Sequence, residues 1–118
     1  MKYSDLLVWQ KAMDLVTEVY KLTQAFPADE KFGLNSQMQR AAVSIPANIA
    51  EGHGRKSTKA YVNHLSIANG SLMEVETLIH IACRLGYLTA QQGNPVLLKA
   101  DEIGKMLSGL QRSLNPRP

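Results

Sequence analysis

Between Tyr61 and Ala82 apolar residues recur in unbroken steps of four and three: Tyr61, Leu65, Ala68, Leu72, Val75, Ile79 and Ala82. This period puts all seven on one stripe of an α-helix and makes that stripe the seam of a left-handed helical bundle. A second row, Ile67, Ser71, Glu74, Leu78, Ile81 and Leu85, runs beside it. Gly86 supplies the left-handed residue that ends such a helix, with Leu88 placed for the accompanying apolar contact.

The rest of the chain supplies partners for that seam. From Asp5 to Phe26 two interleaved rows, Leu6, Trp9, Met13, Val16, Tyr20 and Val8, Ala12, Leu15, Val19, Leu22, Phe26, merge into one wide apolar arc. Ser4 is the expected N-cap of this first helix and Pro27 its end. A second helix is expected from Leu34, with Leu34, Met38, Ala41, Ala42, Ile45 and Ile49 inward and small residues around them. After Gly86 the spacing of Thr89 and Gln92 fits a capping box, but Gly93, Asn94 and Pro95 follow at once. The fourth helix is therefore expected from about Pro95, with Val96, Ile103, Leu107, Leu110 and Leu114 inward and Pro116 and Pro118 at its end.

No segment has a strand period and none is a linker. The expected fold is all-α, an antiparallel up-down-up-down four-helix bundle in one domain over residues 1–118. Hydrophobic residues make up 45% of the 118 positions, enough for a packed core, and charged residues only 19%. Cys83 is the single cysteine, so no internal disulfide can form; no apolar run approaches the roughly 18 residues of a membrane span, and the start MKYSDLLVWQK has no signal-peptide core. A cytoplasmic, non-membrane protein is expected. The wide apolar arcs imply either a broad core or a surface buried against other subunits, and a homo-oligomer is the expectation.

The net charge of +3 is mild but unevenly spread. Residues 31–60 carry Lys31, Arg40, Arg55, Lys56 and Lys59 against Glu51 alone, while residues 61–83 hold Glu74 and Glu76 and no Lys or Arg. Within the basic segment lies SIPANIAEGHGRKS, Ser44 to Ser57. Pro46 has no N–H and its ring crowds the carbonyl of Ala42, so an interior position costs about 3 kcal/mol and bends the helix toward the following loop. Gly52 is expected to end helix two and Ser57 or Thr58 to cap helix three. Arg55, Lys56 and Lys59 then surround a helix N-terminus whose dipole already disfavours cations. Phosphate would stabilise that arrangement, which makes Arg55, Lys56, Lys59 and His53 the candidate nucleic-acid contacts.

Arg40 is a further candidate, and also the expected partner of Glu74, whose place in an apolar row suggests burial. His80 and Cys83 share a helix face, but two ligands do not make a zinc site, and Glu76 to His80 is one residue too long for a di-iron Glu-x-x-His unit. No metal and no cofactor are expected. His53 lacks a nucleophile or second histidine, and Arg55 and His64 are too far apart in sequence for the arginine–histidine motif of helical ribonucleases, so no enzyme is expected. Few aromatics look free to stack on bases, which implies little sequence specificity.

The segments DLLVWQKAMDLV, FGLNSQMQRAAVSIPANIAEGHGR and HLSIANGSLMEVETLIHIACRLGYL resemble the four-helix-bundle proteins encoded in intervening sequences of bacterial 23S rRNA genes. Ile-Pro-x-Asn-Ile-Ala-Glu-Gly followed by Arg is the most specific part. More distantly the chain is similar to the accessory variability proteins of diversity-generating retroelements, which bind nucleic acid and a reverse transcriptase. The resemblance implies an antiparallel bundle assembled as a ring, a homopentamer, with a basic surface toward RNA or DNA. The chain departs from the family in having Gln39 before Arg40, where paired arginines are usual, and in TAQQGNPV at the start of helix four. The expected function is non-enzymatic binding of nucleic-acid phosphates; the alternatives are a protein-interaction scaffold and a reverse-transcriptase accessory protein.

Overall fold

A computed structural model describes residues 1–114. Its four helices are α1 (Leu7–Thr23), α2 (Leu34–His53), α3 (Thr58–Arg84) and α4 (Ala90–Leu114), with short 3-10 turns at Tyr3–Asp5 and Ala28–Glu30. Each helix packs on two others, in the cycle α1–α2–α3–α4–α1, and the α2–α3 interface is the most extensive. Short connections make successive helices antiparallel, and the bundle measures 48 × 23 × 20 Å. Among the described residues there is no strand and no helix long and apolar enough to cross a membrane.

The core follows the stripes. Leu65, Ala68, Leu72, Val75, Ile79 and Ala82 are all fully buried, with Tyr61 half-buried at the end of the seam. The inward set expected for α2 is buried throughout. In α1 only one of the two rows forms the core: Val8, Ala12, Leu15 and Val19 are buried, whereas Met13 and Tyr20 are exposed. In the second row of α3, Leu78 is buried but Ile67, Ile81 and Leu85 are exposed.

Local chemistry sets the helix ends. Ser57 caps α3 by accepting from the Ala60 N–H at 3.1 Å. At the other end Gly86, at φ 80°, lets Tyr87 N–H reach Ala82 O at 2.9 Å and Gly86 N–H reach Cys83 O at 3.1 Å. These are the two bonds of a Schellman motif. Glu30 serves α2 from outside: its Oε1 accepts from Leu34 N–H at 3.2 Å and its Oε2 from the Tyr87 hydroxyl at 2.8 Å. That bond, before burial, raises the Tyr87 phenol above its ordinary value.

Three boundary expectations are corrected. Leu6, without a side-chain bond, precedes α1; Ser4 lies in the first 3-10 turn instead, and α1 ends at Thr23, before Pro27. Helix α4 starts at Ala90, not near Pro95, because the Thr89–Gln92 capping box does form, with Gln92 N–H to Thr89 Oγ1 at 3.1 Å and Thr89 N–H to Gln92 Oε1 at 2.9 Å. Pro95 removes only the N–H that would bond to Gln91, in an exposed stretch near the helix start where water reaches the carbonyl. Finally, α2 runs through Pro46 and past Gly52 to His53, so Gly52 does not end it. The expected end at Pro116 and Pro118 lies outside the described residues.

Gly52 is instead a point of close approach. A Cβ there would lie 2.8 Å from His64 Cβ, 2.9 Å from Tyr61 Cδ1 and 3.2 Å from Tyr61 O. Gly70, at the exposed side of α3, has nothing within 4 Å. Gly52→Ala is therefore expected to destabilise by about 1–3 kcal/mol through overpacking, while Gly70→Ala stabilises by about 1 kcal/mol through helix propensity. Denaturant unfolding at one protein concentration checks the opposite signs.

Candidate functional site

Where α2 meets α3, four residues spaced by four, three and four, Ser44, Asn48, Glu51 and Arg55, turn toward α3. They form a polar chain with two residues of that helix. Ser71 Oγ donates to Ser44 Oγ at 2.9 Å, and Asn48 Nδ2 donates to Ser44 Oγ at 3.0 Å and to Ser44 O at 2.9 Å. This leaves Asn48 Oδ1 as the acceptor for His64 Nδ1–H at 3.0 Å. The opposite ring nitrogen, Nε2, then accepts from Arg55 Nε–H at 3.3 Å. Glu51 Oε2 lies 3.5 Å from His64 Nδ1 and completes the cluster.

The chain brings Arg55 back onto α3 at the mouth of the loop. Its Nη groups make no hydrogen bond among the described residues, so the guanidinium is held at one edge and open at the other. Lys56 and Lys59 are exposed, and among the described residues neither makes an ion pair. The first turn of α3 contains no acidic residue. His53 is half-buried with its ring edge-on to Tyr61 at 5.9 Å between centroids, and burial raises the Tyr61 phenol above its ordinary value.

Four of the five sequence candidates, His53, Arg55, Lys56 and Lys59, thus gather at one end of the α2–α3 hairpin. Arg40 does not join them; at 1.5 Å per residue it lies about 20 Å from His53 along α2. Nor does it pair with Glu74. Both side chains are exposed on the rim of a small cleft that also contains Ser44 and Ser71, and no ion pair links them. An exposed carboxylate needs no buried partner, so the expected pair is not formed. Asn48 and His64 are the residues that sequence reasoning missed. The row Ser44, Asn48 and Glu51 on α2, spaced by four and three like the apolar seams, is the signal that could have found Asn48, whereas His64 meets it only once α2 and α3 are packed.

A second charged cleft lies between α3 and α4, lined by Glu76, Asp101, Lys105 and Arg112 among others. Lys105 Nζ pairs with Asp101 at 3.4 Å. Burial first, and the nearby Asp101 charge second, raise the Glu76 carboxyl above its ordinary value of 4.5, with His80 opposing. Among the described residues no group of three His, Cys, Asp or Glu side chains is arranged to hold a metal ion.

Comparison with known proteins places this arrangement. Residues 4–109 match the family model for the 23S rRNA-intervening sequence protein. The chain belongs to that family. The matched span holds the whole polar chain and all five candidate contacts. Among solved structures the chain is similar to a protein of unknown function from the S23 ribosomal protein family of Bacteroides thetaiotaomicron. The two are 26% identical with a TM-score of 0.81, over 90% of this chain and 99% of that one. No curated protein matches the chain.

Two measurements check the site's energetics. Asn48→Ala leaves the His64 N–H and Ser44 without their shared partner and is expected to cost about 1–3 kcal/mol in urea unfolding, against under about 0.5 for exposed Asn63→Ala. For Glu76 the folded state binds a proton more readily than the unfolded one, so the group adds nothing unfavourable below the ordinary carboxylate range and a growing penalty as pH rises through its folded value. Glu76→Gln should therefore raise the thermal midpoint at pH 7, with the advantage over the parent shrinking toward pH 4.

Proposed function

We propose that this member of the 23S rRNA-intervening sequence family is a non-enzymatic, oligomeric bundle protein that binds nucleic-acid phosphates through the α2–α3 loop. The observation that carries the reading is the pair of lysines, Lys56 and Lys59, with no ion pair among the described residues, beside an edge-anchored Arg55 at a helix N-terminus with no acidic residue in its first turn. Helix N–H groups and a pre-positioned guanidinium fork both suit phosphate oxygens. A binding role fits His64 as well. His64 has both ring nitrogens engaged, one by Asn48 and the other by Arg55, and is not placed as a free base.

Assembly is the second part of the proposal. Exposed Leu7, Met13, Ile67, Ile81, Leu85 and Leu98 leave apolar surface on α1, α3 and α4 for other copies of the chain. In a ring, of five copies as the family resemblance implies, each loop contributes a few phosphate contacts and the copies together give useful affinity.

Lys56→Glu should weaken binding to labelled RNA and DNA in fluorescence anisotropy and lower the slope of log K against log salt by about 1 or more. The far-ultraviolet spectrum and the mass by light scattering should stay unchanged. Undiminished binding would remove the loop from this account.

A further inference from the structure

The groove between the end of α1 and the start of α2 is not used by the loop. It has a volume of about 560 Å³ and is lined by Tyr20, Lys31, Phe32, Gln39 and Arg40 among others. An adjoining depression of about 330 Å³ shares Tyr20, Lys31 and Gln39 and adds Asn35. The Phe32 ring, just after the Ala28–Glu30 turn, is 89% exposed, and Tyr20 is 43% exposed. Lys31 Nζ stands 5.5 Å from the Phe32 ring centroid. No acidic residue lines either depression, and among the described residues neither Lys31 nor Arg40 forms an ion pair.

This combination narrows the ligand. Two aromatic rings open to solvent favour a flat, apolar-faced partner. Two unpaired cations on the same rim favour an anion attached to it. A nucleotide has both features, a planar base and a phosphate.

We propose that this groove takes an unpaired nucleotide of a single strand, its base against Phe32 and Tyr20 and its phosphate between Lys31 and Arg40. The inference rests on the nucleic-acid reading of the loop and adds to it a preference for strand type. A duplex keeps its bases stacked inside and has none to offer the groove, whereas the loop, which meets only phosphates, treats both alike. The few free aromatics expected from composition include two, Phe32 and Tyr20, that the fold leaves open on one basic groove.

The test uses the full chain, labelled ten-nucleotide single strands of RNA and of DNA, and a duplex of the same length. Phe32→Ala should weaken single-strand binding about tenfold and leave duplex binding unchanged, with Phe32→Tyr retaining the parent affinity. Lys56→Glu should weaken both. A larger loss on RNA or on DNA identifies which strand the groove takes. Single-strand affinity untouched by Phe32→Ala overturns the proposal while leaving the loop reading intact. So does a change of assembled mass on Phe32→Ala, which would give the groove to a second copy of the chain. If the parent protein binds neither strand nor duplex, the loop reading fails by itself, and chemical-shift mapping with adenosine monophosphate then decides the groove: shifts confined to its residues support it, and their absence overturns it.

Discussion

The approach of α2 and α3 at Gly52 governs the geometry of the loop end. With only a hydrogen where any other residue has a Cβ, the helix carrying Gly52 lies close to the backbone and side chains of Tyr61 and His64. At that separation Asn48 reaches His64, and Ser44 reaches Ser71, without an intervening water. A wider gap would leave those groups half-desolvated and unpaired, the costly state for buried polar atoms. Arg55 then inherits its position from His64, so one missing side chain on α2 sets where a guanidinium stands beside the loop's lysines.

The bundle separates its two positive regions. The loop end holds Arg55, Lys56 and Lys59, while Lys31, just before α2, and Arg40, in its first half, stand beside open aromatic rings at the other end. Between them the polar chain of Ser44, Asn48, Ser71 and His64 runs along the α2–α3 interface. Family membership and the similar solved structure show that the architecture is shared. The two regions differ in physical character: one is cations at a helix N-terminus, the other cations beside exposed aromatic rings.

Much of the fold was legible because apolar stripes report directly on burial. The inward face of α2 holds residue for residue, and so does the α3 seam from Leu65 to Ala82. Two of the misreadings share a cause: a glycine reads as local punctuation in the sequence, whereas tertiary packing sets its role. Gly52 was expected to end a helix and instead admits a neighbour. Gly93 was expected to break one, yet a Cβ there would meet Cys83 Sγ at 3.1 Å, so its smallness serves the α3–α4 contact. At the site, the exposed cations were visible in composition. The partner that steadies Arg55 was not, because His64 is nine residues away in sequence and adjacent only once two helices are packed. Phe32 was hidden for the opposite reason, since no pattern distinguishes an aromatic left in solvent from one about to be buried.

Glu30 links parts of the chain that are made at different times. One carboxylate oxygen serves the first N–H of α2 and the other the Tyr87 hydroxyl, 57 residues further on. During synthesis α2 can form long before Tyr87 exists, but this carboxylate is then held on one side only. Closing the turn between α3 and α4 completes the clamp, so the start of the second helix acquires its final rigidity only when the third has ended. The bundle is in this respect latched from its later half, and an α1–α2 hairpin alone would lack the constraint.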